Sequence, residues 1–538
     1  MFPVAQGPLA GRRPLFAVSC LLSAVLEERV TIYLWVILAY LLVMTGYNIY
    51  RSRQIKSQDD FMVAGRSLSL TKMVFTLVCT WIGSGTFIAG AEYASYAGWS
   101  ALWQPAGAFL GIAIIYFVAG KIRTFGQYTV GDILEVRYGR FARLFGAIAL
   151  IIAFTTIVAY QFRAGGYILN VISDGRISLE LGQTITAIFV IGFVAIGGMI
   201  AVAHTDLPNG IIIVSACLIA VPFVITTAGG WAHAHEVLEP SRFQVFASDF
   251  GKFPPLKAFA YFLSTLLLLL GVQSMYQKFY AARSPREARQ AVAIWIVGTI
   301  VVETIVIAIA VFASVYNTEH ALGWDGRALV LNAARYMVPG WAGVLLLGAA
   351  CAVVLSTGMN YLLSSSSNVM RDIYQSMINP NADPDKMVAL QKVFIVVMGF
   401  CAFLMIFIPT YMKSQISILQ YAYFAYTMYG VAVTPALFAA LTWKRATWQG
   451  GVASIVGGAA ATVFFEFVLP ALAPGVMQGA GGAAGAVFGA DPWGIPSIYP
   501  SAIISIGALV LVSLMTPAPK PEELARLFPE EAKGVGSN

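Results

Sequence analysis

Apolar stretches of about 20 residues recur along the chain, separated by short polar segments, and each is long enough to cross a bilayer as a helix. The pattern predicts an all-α membrane protein with about thirteen transmembrane helices. Several predicted spans exceed the hydrocarbon thickness and should tilt or extend past the lipid. The predicted spans are 30–50, 71–94, 100–121, 144–172, 181–203, 209–228, 256–280, 290–316, 338–368, 387–410, 414–442, 450–470 and 498–517.

Composition supports this prediction and excludes a water-facing globule. Hydrophobic residues make up 59% of the 538 positions, and charged residues make up only 11%, against about 25% in soluble domains. We expect one transmembrane domain over 29–517 and a cytoplasmic tail over 518–538. Residues 1–28 are either an N-terminal extension with a signal-like apolar run or a start assigned too far upstream.

The net charge of +7 reflects topology rather than a binding surface for nucleic acid. Most of the 33 Lys and Arg residues fall in loops on one side of the predicted spans. This bias predicts an extracellular N-terminus, a cytoplasmic C-terminus and a multi-pass protein of the bacterial inner membrane. No loop accommodates an enzymatic domain and no Walker motif occurs, so neither an enzyme nor an ATP-driven pump is expected, and no obligatory protein partner is evident.

The second predicted span contains the segment Thr80–Thr86, in which Gly83 and Gly85 lie two positions apart. Each glycine weakens a helix by about 1 kcal/mol relative to Ala. Helices interrupted at membrane depth line cavities or are buried in protein, and their freed carbonyls can coordinate a cation. Close helix packing through small residues is the alternative.

Two other spans carry polar groups at membrane depth. The ninth contains Ser356 and Thr357, whose hydroxyls could bind Na⁺ together with the carbonyl of Val353 one turn earlier; bonding within the helix or to a neighbour is the alternative. The seventh changes from leucines to polar residues after Gly271, which also suits an interruption near a site.

Five segments in this order resemble the sodium:solute symporter family, whose members include carriers of proline, galactose, sialic acid and choline. The resemblance covers about residues 45–470. The segments are Asp59–Leu68, Trp81–Gly85, Gln277–Arg283 (Gln-Lys-X-X-Ala-Ala-Arg), Ser356–Tyr374, and Trp443–Thr447 before a glycine-rich span.

The resemblance implies a leucine-transporter-type core of five spans followed by five in inverted topology, here about 71–228 and 256–442. It also implies a sodium site that joins carbonyls of the first core helix to a carbonyl and two hydroxyls of the eighth. In this sequence the corresponding residues are Cys79, Ile82, Val353, Ser356 and Thr357. Na⁺ is therefore the expected coupling ion, and no organic cofactor is expected.

The resemblance further implies a solute cavity between the interrupted helices. The matching positions are Trp81, Thr86, Gln104, Gln161 and Gln273. Trp81 stands where the proline carrier has an acidic residue, and two positions of the choline carrier's aromatic cage are Val272 and Ile157 here. Neither proline nor a quaternary amine is therefore specifically indicated.

Arg163 is the basic residue well inside a span, and an intramembrane charge is a candidate functional group. It could attract a solute carboxylate, pair with Glu92 or Glu303, or extend to the interface. His204 and Asp206 are expected to cap helices in a short loop.

These expectations combine into Na⁺-coupled symport of a small organic solute by alternating access. A proton-coupled or uncoupled carrier of the same fold is the alternative, followed by a membrane solute sensor. Carboxylate, amino acid, sugar-like and amine solutes all remain open, with a preference for a carboxylate through Arg163.

Overall fold

A computed structural model describes residues 13–53, 55–125, 127–247, 252–412, 417–476 and 491–528, with side chains from residue 32 onward except 384 and 385. The described residues form helices and no strand. The predicted extension at 1–28 and tail at 518–538 lie partly outside the described residues.

Eleven helical stretches of the described residues are long and apolar enough to span a membrane. They are Ile32–Ser52, Gly85–Phe125, Arg140–Ile172, Leu179–Thr227, Pro254–Ala281, Pro285–Glu319, Gly340–Ile378, Lys386–Tyr411, Ile418–Thr442, Trp448–Leu472 and Ile498–Met515.

The α-helices are numbered here in chain order. The first half of the chain contains α1 (Arg13–Ser52), α2 (Gln58–Val63), α3 (Leu70–Trp81), α4 (Gly90–Ala97), α5 (Trp103–Phe125), α6 (Val130–Tyr138), α7 (Arg140–Ile172), α8 (Leu179–Thr227), α9 (Gly230–Val237) and α10 (Pro254–Gly271). The second half contains α11 (Gln273–Ala281), α12 (Pro285–Glu319), α13 (Leu329–Tyr336), α14 (Gly340–Ser367), α15 (Pro384–Tyr411), α16 (Ile418–Ala432), α17 (Thr434–Thr442), α18 (Trp448–Val463), α19 (Leu469–Leu472), α20 (Ile498–Met515) and α21 (Pro521–Leu524).

Segments of π-helix at Gly85–Ala89, Asn368–Ile378 and Phe464–Val468 extend some of these helices. Short 3₁₀ segments occur at Ala64–Arg66, Gly98–Leu102, Pro240–Phe243, Gly326–Ala328 and Pro474–Val476.

The structure does not confirm a count of thirteen spans, because two of the eleven apolar stretches of the described residues, Gly85–Phe125 and Leu179–Thr227, each include parts of two predicted spans. The predicted spans 181–203 and 209–228 both lie in α8, whose 49 residues would measure about 74 Å if straight. That is more than twice the hydrocarbon thickness of about 30 Å. Gly198 turns the chain inside α8, with φ of +51°.

Two predicted spans are interrupted where glycines suggested it. The second span ends as an α-helix at Trp81 and resumes at Gly85, with Ile82 extended at φ −74° and ψ 99°. The seventh span divides at Val272, where ψ is 114°, between α10 and α11.

The two interrupted helices are joined at one end of the bundle. Leu68, just before α3, donates its backbone N–H to the carbonyl of Ala281 at 3.0 Å. Arg283, just after α11, donates to the carbonyl of Leu68 at 3.3 Å. These bonds form a short parallel bridge between segments more than 200 residues apart.

The interior of the bundle is built around α14, which packs against α7 and α8 and also touches α3. In the most apolar part of Gly340–Ile378, 83% of residues are buried, compared with 28% in Trp448–Leu472. The hydroxyl-bearing helix is therefore central, whereas α18 presents most of its surface outward.

Candidate functional site

The interruption after α3 brings backbone carbonyls against α14 in the bundle interior. A Cβ added at Gly83 would lie 2.8 Å from the methyl group of Thr357 and 2.9 Å from its hydroxyl oxygen. A Cβ at Gly85 would lie 2.6 Å from the hydroxyl oxygen of Tyr426. Both approaches are too short for any side chain, so glycine permits the close contact here.

Three of the five predicted sodium-binding residues meet directly. Thr357 donates its hydroxyl to the carbonyl of Cys79 at 3.1 Å and lies 3.2 Å from the carbonyl of Ile82. Val353 precedes Thr357 by one helical turn and is fully buried. Carbonyl and hydroxyl oxygens of this kind suit Na⁺, and the residues present therefore fit the ion.

Ser356, the remaining predicted ligand, donates its hydroxyl to a carboxylate oxygen of Asp206. Asp206 is fully buried in α8 and also accepts hydrogen bonds from Thr76 and from Asn360, the latter at 3.3 Å. The expectation that Asp206 caps a helix in a loop is wrong, because α8 continues through this position. An acid within an apolar run was the available signal for this position.

A buried cation lies next to this carboxylate. Lys278, in α11, has no exposed surface and donates to the side-chain carbonyl of Asn360. Asn360 therefore links the Lys278 ammonium to the Asp206 carboxylate. Such bridging reduces the cost of burying the two charges.

Four of the six predicted substrate-binding residues gather around the same interruption. Trp81 donates its indole N–H to one oxygen of Glu303 at 3.2 Å, and Thr86 donates its hydroxyl to that same oxygen at 3.0 Å. Gln104 donates to the carbonyl of Gly85 at 3.3 Å. Gln161 accepts from the backbone N–H of Ser84 at 3.2 Å.

Several buried polar atoms around this cluster have no hydrogen-bond partner among the described residues. They are Ser84 Oγ, Gln104 Oε1, Gln161 Nε2 and Glu303 Oε2. Unpaired buried polar atoms are costly and uncommon. Their concentration beside an interrupted helix indicates a place where a polar molecule can complete the missing hydrogen bonds.

Aromatic rings surround the other side of the cluster. The hydroxyls of Tyr160 and Tyr426 are 3.4 Å apart, and the rings of Tyr423 and Tyr426 have centroids 5.7 Å apart. Tyr426 and Tyr160 turn their hydroxyl oxygens toward Gly85, at 2.6 and 3.8 Å from where its Cβ would lie, so this side of the candidate site carries phenol hydroxyls.

Arg163 and Gln273 contact other partners. Arg163 follows Gln161 by two residues, which is about 200° around a helix, and so points away from the interruption. It donates to Thr410 at 3.0 Å and lies 3.4 Å from Gln183, rather than pairing with Glu92 or Glu303. Gln273 accepts from the N–H of Val130 at 3.1 Å and donates to the carbonyl of Ser364 at 3.2 Å.

A separate charged cluster closes one end of the bundle. Arg143, in α7, contacts Asp132 in α6 and Asp372 beyond α14, each at 2.8 Å. Thr129 donates to Asp372 at 2.7 Å. These buried contacts hold α6, α7 and the end of α14 together.

Tyr128, in the loop before α6, extends this cluster. It donates its hydroxyl to Asp59 at 2.5 Å, and Arg66 and Arg371 lie over its ring. Burial raises the pKa of Tyr128, and the hydrogen bond to Asp59 acts in the same direction. The phenol therefore remains a neutral donor at physiological pH.

Comparison with known proteins gives a consistent result. Residues 61–458 match the model of the sodium:solute symporter family. The high-affinity proline transporter PutP of Bacillus subtilis is 25% identical over 79% of this chain and 89% of its own length. The sodium/pantothenate symporter of Escherichia coli is 25% identical over 78% of this chain and 88% of its own length.

A solved structure shares the fold. The substrate-bound outward-open state of a Na⁺-coupled sialic acid symporter superposes with a TM-score of 0.75 at 16% identity. The match covers 91% of this chain and 98% of that one.

Proposed function

This chain belongs to the sodium:solute symporter family, and from that premise we propose that it couples Na⁺ entry to uptake of a small organic solute by alternating access. We further propose that it lies in a bacterial inner membrane with an extracellular N-terminus and a cytoplasmic C-terminus, without an obligatory protein partner. The core would consist of two inverted repeats, about 71–228 and 256–442.

The contact of the Thr357 hydroxyl with the carbonyls of Cys79 and Ile82 carries this proposal. It supports a Na⁺ site formed by these residues with Val353 and Ser356. The Asp206 carboxylate, bonded to Ser356, would add negative charge beside the ion.

The solute would bind in the adjoining cluster of Trp81, Thr86, Gln104 and Gln161. The same interrupted segment contributes to both sites, since Ile82 faces Thr357 while Thr86 bonds Glu303. An ion that fixes this segment therefore also orders the solute site, and each bound species raises the affinity for the other. Arg163 and Gln273 would position helices rather than contact the solute.

We place the cluster of Arg143, Asp132 and Asp372 at the cytoplasmic end of the bundle. In alternating access, this cluster would then open when the site faces the cytoplasm. Binding of both species would favour the state in which this cluster separates, whereas Na⁺ alone would not. The solute would then be released to the cytoplasm only from the state in which Na⁺ is also bound.

Purified protein in proteoliposomes tests this function. A panel of labelled amino acids, carboxylates, sugars and amines is offered with an inward Na⁺ gradient and, separately, with a pH gradient in Na⁺-free buffer. We expect accumulation of at least one solute with Na⁺ only, lost when Ser356 and Thr357 are both changed to Ala. Accumulation driven by the pH gradient would instead select a proton-coupled carrier, and binding without accumulation would select a sensor.

A further inference from the structure

The carboxylate of Glu303, in α12, is the acidic group nearest to the proposed solute site. Its side chain is 5% exposed, and one oxygen, Oε1, receives both the Trp81 and the Thr86 hydrogen bonds. The other oxygen, Oε2, has no partner among the described residues. One carboxylate oxygen is thus fixed in place, and the other is buried without a hydrogen-bond partner among the described residues.

No positive charge of the described chain compensates this group. Within the described residues, no Lys, Arg or His forms an ion pair with Glu303. Lys278 is bonded to Asn360, and Arg163 is bonded to Thr410. A buried carboxylate without a counter-ion is expensive at membrane depth, so intramembrane acids usually mark a ligand or ion pathway.

The surroundings of Glu303 suit an organic cation better than a metal ion. Trp81 presents an indole N–H to the carboxylate, and an N–H donor cannot ligate Na⁺. Tyr426, in α16, turns its hydroxyl toward Gly85 of the interrupted segment, and the ring of Tyr423 packs against that of Tyr426 with centroids 5.7 Å apart. Aromatic rings beside a carboxylate form a common binding arrangement for ammonium groups.

We infer that Glu303 recognises a positively charged nitrogen of the transported solute, which places the substrate among amines, including zwitterionic amino acids. The inference rests on the proposed function and narrows it. The ammonium group contacts Oε2 of Glu303, and the remainder of the solute lies toward the unpaired Gln104 Oε1 and Gln161 Nε2. An anionic solute lacking such a nitrogen would be repelled.

A transport experiment in which the protein selects its own solute from a mixture tests this inference. Proteoliposomes containing the full chain are incubated with the low-molecular-weight fraction of a bacterial extract under an inward Na⁺ gradient. The accumulated compounds are identified by mass spectrometry. Thermal unfolding of the same preparations, with and without Na⁺, reports ion binding independently.

We expect the accumulated compounds to carry a cationic nitrogen. Glu303→Gln should lower their accumulation by about tenfold or more, because a hydrogen bond to a charged group is replaced by a neutral contact. Stabilisation by Na⁺ should persist in this variant. Glu466→Gln is the matched control, because Glu466 is a span acid in the peripheral segment Phe464–Val468 that bonds Ser497.

Accumulation solely of compounds without a cationic nitrogen would overturn the inference while leaving Na⁺-coupled transport intact. Unchanged amine uptake by Glu303→Gln would also overturn it. Loss of Na⁺ stabilisation in that variant would assign the carboxylate to ion binding instead. If nothing accumulates with a Na⁺ gradient, the proposed function itself fails. If Glu303→Gln does not fold, the set of compounds that the wild-type protein accumulates tests the inference by itself. Glu303→Asp should then keep the preference for amines, with weaker uptake.

Discussion

The hydroxyl of Thr357 lies 3.1 Å from the carbonyl of Cys79, although the two residues are separated by 278 positions in sequence. The contact exists because α3 ends just after Cys79 and leaves carbonyls without helical partners. It joins the interrupted segment to α14, which lies in one of the two most buried spans of the described residues.

Thr357→Val keeps the side-chain volume and removes the hydroxyl. We expect the apparent Na⁺ affinity to fall by about tenfold or more, since hydrogen bonds and ligand contacts to charged species contribute about 1.5–3 kcal/mol. Na⁺ titrations of thermal unfolding measure the change. Thr462→Val is the control, because among the described residues the buried Thr462 hydroxyl bonds only its own helix, at Gly458. Equal Na⁺ affinities in wild type and Thr357→Val would argue against the proposed ion site.

Asp206→Asn should weaken Na⁺ binding through the hydroxyl of Ser356. The carboxylate accepts from both Ser356 and Thr76, and an amide can accept through only one of its atoms. In a double-mutant cycle with Ser356→Ala, we expect a coupling free energy of about 0.5–3 kcal/mol, as is usual for contacting residues. Additive effects of the two substitutions on Na⁺ affinity would show that the residues act separately. Asp383→Asn, at an exposed acid, serves as the control.

Gly83→Ala should impair Na⁺-dependent uptake, while the thermal stability of the whole protein should fall much less. Its Cβ would press on both the methyl group and the hydroxyl of Thr357, at 2.8 and 2.9 Å. Gly348→Ala is the matched control on α14, because no atom of the described residues lies within 4 Å of a Cβ there. We expect uptake by the Gly348 variant to equal that of wild type. Normal uptake by Gly83→Ala would mean that this close approach is unimportant for transport.

Asp372→Asn should loosen the cluster that closes the proposed cytoplasmic end. Removing this charge takes away one of the anions that hold Arg143, and breaking a buried ion pair costs about 3–5 kcal/mol. We expect a several-fold faster reaction of Cys79 with a thiol reagent added from the cytoplasmic side, in a background lacking the other cysteines. Asp383→Asn again provides the comparison. An unchanged rate would exclude the cluster as an inner gate.

Much of the fold could be predicted from the sequence, because apolar length and glycine position act locally. The interruptions near Gly83 and after Gly271 follow from residues within a few positions. The count of thirteen spans is not confirmed, since hydrophobicity does not place the turn between adjacent segments. In α8 the chain turns at Gly198, inside the predicted span 181–203.

The candidate site was only partly predictable, and the failures share one cause. A resemblance carried by short motifs predicts Cys79, Ile82 and Thr357 as ligands. The structure brings the three together, and their binding of Na⁺ stays a prediction. Asp206 and Glu303 were not assigned to the site, because their roles depend on which helix faces which. Pairing between helices is a tertiary property, and the two acids carry no local sequence signal of their partners.

The backbone bridge between Leu68 and the end of α11 has a mechanical consequence. Two backbone hydrogen bonds, at 3.0 and 3.3 Å, join the chain just before α3 to the end of α11 and the residues that follow it. We therefore expect α3 and α11 to move together. A motion that opens one of the proposed sites should therefore also disturb the other, so release of Na⁺ and release of the solute are expected to be coupled.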